Sequence, residues 1–210
     1  KIYPNSTIVA DVKLTDLSAS DPELQKYGIK ADCWKTGHSH MKRRVKELGA
    51  LAGFEKSGHY LLFGEIGRGY DCGMRVAVEI CKLMDRSPDM SLPDLRKALP
   101  KTWATSTMSP YCSDLEKYGT LDRLVAKLVA KFKAGEKLGG RPIKKVVTAN
   151  GARVILDNGA WGLVRASSNT PNLVVVCESP ESDAEMRAVF EDIDAVIRTE
   201  SNVGEYDQTI

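Results

Sequence analysis

The hydrophobic period of this chain changes across a cluster of prolines, Pro88, Pro93 and Pro100, and that change limits what can fold on either side of it. Upstream, strand-like and helix-like stretches alternate. Residues 8–12 read as a strand, the polar stretch 16–27 as a helix ending at Gly28, and 29–34 as a second strand. Ser39 to Leu48 is a basic helix closed by Gly49, followed by apolar runs at 50–52 and 60–63. From Asp71 onward the spacing of Val76, Ala77, Ile80, Cys81, Leu83 and Met84 predicts an amphipathic helix whose apolar stripe covers the sheet. Such alternation predicts an α/β unit with parallel strands. A last short helix, 92–99, sits among the prolines. Backbone before a proline is driven away from helical geometry, and apolar periodicity lapses here, so the domain break is expected near residue 100, giving units 1–100 and 101–210.

Downstream the order is different: one long helix, then consecutive strands. Leu121, Leu124, Val125, Leu128, Val129 and Phe132 form the helix stripe. Runs at 146–148, 152–156, 161–165 and 173–177 read as strands, with Asp157-Asn158-Gly159 as a tight turn between the second and third. Ser182-x-x-Glu185 reads as a capping box opening a helix that carries Met186, Val189, Phe190, Ile193, Val196 and Ile197 on one side. That pattern predicts an α+β domain of sheet plus helices.

Two short strings carry the chemistry. In Gly53-Phe54-Glu55-Lys56-Ser57-Gly58-His59 the glycines argue against helix, and an extended segment would turn Glu55, Ser57 and His59 to one side. A carboxylate, a hydroxyl and an imidazole together suit a polyhydroxylated ligand. Arg165-Ala166-Ser167-Ser168-Asn169-Thr170-Pro171 offers a guanidinium fork for phosphate oxygens, three hydroxyls, and an asparagine that tolerates left-handed backbone and so could turn amides inward. Either string alone reads more simply as a loop or solvated turn.

Together, and in this order, they resemble the C-terminal half of the alpha-D-phosphohexomutase family, the phosphomannomutases and phosphoglucomutases. The resemblance also takes in Asp11-Val12-Lys13, Trp34-Lys35-Thr36-Gly37-His38-Ser39, Gly69-Tyr70-Asp71-x-Gly73, Gly162-Leu163-Val164-Arg165-Ala166-Ser167 and the closing amphipathic helix. It implies a mixed α/β sugar-binding domain, the third of the family, then a smaller sheet-plus-helices, TATA-binding-protein-like phosphate-binding domain, the fourth. It implies interconversion of hexose 1-phosphate and hexose 6-phosphate through an enzyme phosphoserine and a bisphosphate. By it, Lys13, His38, Glu55, Ser57 and His59 line the sugar site, while Arg165, Ser167, Ser168, Asn169 and Thr170 hold the distal phosphate. Ser168 and Asn169 depart from the commonest family pattern, which leaves their individual contacts less defined. His59 is the one candidate catalytic group, for proton transfer, with a plain hydroxyl contact equally open. Cys72 departs from a frequent Asp-Asp-Gly pattern, and its segment reads as structural with the thiol buried.

Nothing in these residues matches a Ser-His-Asn-Pro phosphoserine loop or an Asp-x-Asp-x-Asp magnesium cage. By the resemblance, Mg2+, with ligands outside this chain, and hexose 1,6-bisphosphate as activator belong to the full-length enzyme, and two further N-terminal domains are its partners. Its alternatives are phosphoglucosamine mutase and a non-catalytic phosphosugar-binding module. The net charge of +2 comes from interspersed charges, so neither nucleic acid nor a membrane surface is the expected partner. The five cysteines are scattered and free of any CxxC pair, the usage of a cytoplasmic protein. His38 and His40 beside Lys42, Arg43 and Arg44 read more simply as a helix entrance than as metal ligands with His59.

Overall fold

The computed structural model describes residues 3–210. The chain separates into two compact units, the first ending at Lys101 and the second running from Thr102 to Ile210. In the first, β1 (Thr7–Asp11), β2 (Lys30–Trp34), β3 (Ala52–Phe54) and β4 (Tyr60–Leu62) form a sheet of order β2-β1-β3-β4. β1 pairs in parallel with β2 and β3, whereas β4 returns antiparallel to β3. The sheet is therefore mixed, because a turn as short as that between β3 and β4 can join only antiparallel strands.

The helix expected over 16–27 is two short ones, α1 (Leu17–Ser20) and α2 (Pro22–Lys26). Asp21, preceding a proline, takes extended backbone at ψ 120° and caps α2 by accepting from the Glu23 and Leu24 amides. α3 (His38–Leu48) ends at a left-handed Gly49. It buries Met41 and Val45, one turn apart, against Val9, Ala50 and Leu61. Each such side chain contributes about 1.5–3 kcal/mol relative to exposure. α4 (Gly73–Asp85) departs from expectation: none of its residues is buried. Its Val76, Ile80 and Leu83 instead line an open crevice with Phe54, Tyr60, Leu62 and Ile66. Cys72, expected to be buried, is partly exposed as the residue capping α4. α5 (Leu92–Lys97) opens with a full Ser91–Asp94 capping box.

In the second unit β5 (Trp103–Ala104), β6 (Lys137–Leu138), β7 (Arg141–Val147), β8 (Ala152–Leu156), β9 (Trp161–Ala166) and β10 (Leu173–Ser179) form an antiparallel sheet of order β5-β10-β9-β8-β7-β6. The edge strand β5 comes from the opening of the unit, a pairing across many residues that no local pattern announces. α6 (Lys117–Lys133) and α7 (Asp183–Ile197) lie on one face, packing Leu124, Leu128, Val189, Ile193 and Ile197 over Ala152, Val154, Val164, Ala166 and Val175. The α7 cap is only half a box. Ser182 Oγ accepts from the Glu185 amide, but the Glu185 carboxylate goes to Ser179, Arg141 and Asn158.

Candidate functional site

Because β1, β2 and β3 run in parallel, the segments following them emerge at one edge of the sheet, the carboxyl edge where open α/β sheets bind ligands. Lys13 follows β1, Thr36, Gly37 and His38 follow β2, and Glu55 follows β3. Two carboxylates tie these segments together. Asp11, fully buried, accepts the Lys13 amide at 3.0 Å through Oδ1 and the Thr36 hydroxyl at 3.2 Å through Oδ2, with Lys13 Nζ 3.9 Å from Oδ2. Glu55, also buried, accepts the Gly37 amide at 3.2 Å through Oε2. Gly37 sits at φ 121°, which favours glycine, and leads directly into α3. The other carboxylate oxygen of Glu55, Oε1, is buried and has no hydrogen-bond partner. A buried acceptor left this way costs free energy that a ligand hydroxyl would recover.

Residues 55–59 are a tight turn, not the extended segment expected. The Glu55 amide donates to the His59 carbonyl at 3.0 Å and the Gly58 amide to the Glu55 carbonyl at 3.0 Å, with Gly58 at φ 88°. Period-two alternation therefore does not hold across this string. Glu55 is buried at the base of the turn, whereas Ser57 and His59 are exposed. His59 Nδ1 lies 2.5 Å from Asp71 Oδ2, and Asp71 Oδ1 accepts the Tyr60 amide at 3.2 Å. The hydrogen bond that His59 donates to Asp71 raises the His59 pKa above the ordinary imidazole range; burial opposes this, the Asp71 and Glu55 charges reinforce it, and Lys13 opposes it. Asp71 is lowered, chiefly by the same hydrogen bond, with the Tyr60 amide and the charges of His59 and His38 contributing against desolvation. Lys13 and Glu55 thus act on His59, and His38 acts on Asp71, through their charges. From sequence, the Gly69-Tyr70-Asp71 segment reads as structural, with no contact to His59 expected. Its link to His59 depends on the bridge between Leu61 and Asp71.

The second unit holds the other string. Along β9, Val164 and Ala166 face the helices, so alternation places Trp161, Leu163 and Arg165 on the opposite face. There the Arg153 guanidinium stacks on the Trp161 ring at 3.8 Å. Arg165 is buried, and its Nη1 donates to the Ala166 carbonyl at 2.6 Å. The loop between β9 and β10 is organised by Ser167. Its Oγ accepts the Thr170 hydroxyl at 2.8 Å, the Thr170 amide at 3.2 Å and the Asn169 amide at 3.4 Å. Ser168, Asn169 and Thr170 are exposed. Asn169 does not adopt left-handed backbone. Among the described non-glycine residues only Asn5 has positive φ, so the amides of this loop turn toward Ser167 by side-chain capping instead.

Lys117, at the start of α6, is a further residue that sequence reading passed over. Its side chain is 3% exposed, and Nζ donates to the Thr170 carbonyl at 2.9 Å and to Asp114 at 2.5 Å. A buried ammonium requires such partners, and here one of them is the loop itself. Lys117→Met is expected to cost about 1–3 kcal/mol in urea unfolding and to speed hydrogen exchange at the loop amides of residues 169–172. Unchanged exchange there would show that Lys117 does not hold the loop.

Among the described residues no three His, Cys, Asp or Glu side chains gather in a way that could hold a metal ion. No helix among them is long and apolar enough to cross a membrane.

A family model described as phosphoglucomutase/phosphomannomutase, alpha/beta/alpha domain III, matches residues 1–103, and one described as the C-terminal domain of the same family matches 112–196. The chain belongs to the phosphoglucomutase/phosphomannomutase family. A phosphomannomutase/phosphoglucomutase of Pseudomonas putida is 33% identical over 89% of this chain and 36% of its own length. A phosphoglucomutase of Neisseria meningitidis serogroup A is 30% identical over 95% of this chain and 40% of its own. The chain therefore spans about two fifths or less of the length of these curated relatives. The crystal structure of a phosphoglucomutase/phosphomannomutase family protein from Burkholderia thailandensis matches with a TM-score of 0.72 at 27% identity, over 96% of this chain and 40% of that one. Within the family, the Glu55 turn belongs to domain III and the Arg165 loop to the C-terminal domain.

Proposed function

We propose that this chain is the sugar-reading and phosphate-holding part of a phosphohexomutase that interconverts hexose 1-phosphate and hexose 6-phosphate. The observation that carries this reading is the buried Glu55 carboxylate, with Oε1 lacking a partner, beside the exposed Ser57 and His59. A carboxylate so placed accepts from sugar hydroxyls, and a site built for them rejects analogues that lack them. Lys13 adds positive charge for an anionic ligand, and His38 stands at the same sheet edge. Arg165, with the side chains of residues 167–170 beside it, supplies phosphate contacts, a charge-assisted set in which the guanidinium contributes most. The phosphoryl-carrying serine, Mg2+ and the remaining domains belong, in this reading, to other parts of the same enzyme, with hexose 1,6-bisphosphate as the intermediate that binds both sites in turn. A reducing cytoplasmic setting accords with cysteine usage.

The test is calorimetric titration of Glu55→Ala and Ser57→Ala with glucose 1-phosphate, mannose 1-phosphate and inorganic phosphate. Glu55→Ala is expected to weaken both sugar phosphates by roughly 10- to 100-fold, to compress the ratio between the epimers, and to leave inorganic phosphate unchanged. Equal losses for all three ligands would make the turn structural and overturn the reading.

A further inference from the structure

His59 is acted on from three directions. Glu55 stands at the base of its own turn, Lys13 follows β1 and Asp71 precedes α4, while His38, opening α3, acts on Asp71. Of these only Asp71 is in direct contact with the ring, at 2.5 Å from Nδ1. An ionised carboxylate only accepts, so a hydrogen bond between the two places the proton on Nδ1. Asp71 is itself fixed, since its second oxygen accepts the Tyr60 amide and its backbone forms an antiparallel bridge with Leu61. The carboxylate is thus anchored to the strand that directly follows His59.

We propose that Asp71 is a positioning residue for His59, engaging Nδ1 so that the neutral ring is kept as the Nδ1–H tautomer and Nε2 is the nitrogen offered to a bound ligand. The inference rests on the reading of His59 as a ligand-facing group and deepens it. An imidazole held this way exchanges a proton with a sugar hydroxyl at Nε2 alone, and Asp71 stabilises the imidazolium that results without taking up the proton itself. Glu55 also favours the cation and Lys13 disfavours it, but it is the hydrogen bond to Asp71 that selects the tautomer.

The substitution Asp71→Asn is informative because of the Tyr60 amide. Tyr60 needs an acceptor, so the asparagine carbonyl oxygen stays with it and the amide NH2 turns to His59. Nδ1 must then accept, and the ring proton moves to Nε2. Long-range 1H–15N correlation spectra of the 210-residue chain, labelled at its histidines and assigned with a His59→Gln variant, read tautomer and titration midpoint directly. The wild-type neutral ring is expected to show protonated Nδ1. Asp71→Asn is expected to show protonated Nε2 and a lower midpoint. The sign follows from the carboxylate, whose loss removes the main influence raising His59. Asp71→Ala, which leaves Nδ1 without this partner, is expected to lower the midpoint as well and serves should the asparagine variant misfold. A wild-type ring protonated on Nε2, or a midpoint unchanged in both variants, overturns the proposal. Glucose 1-phosphate is added last. If the tautomer results hold and the Nε2 signal fails to move at saturating ligand, the positioning role stands and the ligand-facing reading of His59 falls.

Discussion

Arg165→Ala is expected to weaken binding of glucose 1-phosphate by roughly 30- to 140-fold while leaving free glucose unaffected, a cost of about 2–3 kcal/mol for a lost charge-assisted contact. Alternation along β9 turns Arg165 away from the helices that cover Val164 and Ala166. The bond from Nη1 to the Ala166 carbonyl then holds the guanidinium at the entrance of the 167–170 loop. A planar fork restrained in this way loses little side-chain entropy on meeting a phosphate. Arg165→Lys should recover only part of the affinity, because a point charge does not reproduce the paired geometry. Titration calorimetry with both ligands checks this, and thermal unfolding of each variant separates lost binding from lost folding. An unchanged dissociation constant for glucose 1-phosphate would remove Arg165 from the phosphate site.

The largest effect expected is on turnover. The 210 residues alone should bind a hexose phosphate and yet fail to interconvert its isomers, even when hexose 1,6-bisphosphate is supplied. These residues contain groups suited to hydroxyls and to phosphate, but no Ser-His-Asn-Pro string to carry a phosphoryl group. Catalysis by positioning has nothing to transfer when the carrier is missing. A coupled assay that converts glucose 6-phosphate as it forms is the measurement. Turnover above background by protein free of full-length enzyme would mean that a group assigned here to binding, His59 foremost, accepts the phosphoryl group itself.

Much of the architecture is legible from local pattern. The stripe of α6, the Asn158-Gly159 turn between β8 and β9, and the left-handed Gly49 closing α3 each depend on residues a few positions apart, which is the range over which period and turn chemistry operate. The errors are equally local in origin. Asp21-Pro22 breaks a helix that its polarity suggested was continuous, since a residue before proline prefers to be extended and the Asp21 carboxylate caps α2. Glu55 to His59 resembles a strand in its alternation, yet two backbone hydrogen bonds within five residues close it into a turn.

The sequence by itself determined which residue types are present to do chemistry: the Glu55, Ser57 and His59 string, the Arg165 to Thr170 string, and the family to which their order belongs. The tertiary structure alone decided their partners. Parallel pairing of β1 with β2 and β3 brings Lys13, His38 and Glu55 to one sheet edge, and Asp11 and Glu55 then lock the connecting segments together. The bridge from Leu61 to Asp71 supplies the carboxylate for His59, and α6 brings Lys117 to the Thr170 carbonyl across 53 positions of sequence. Periodicity reports which face of an element is apolar. It does not say which strand or helix packs beside which, and a hydrogen bond, effective only within about 3 Å, depends on that placement.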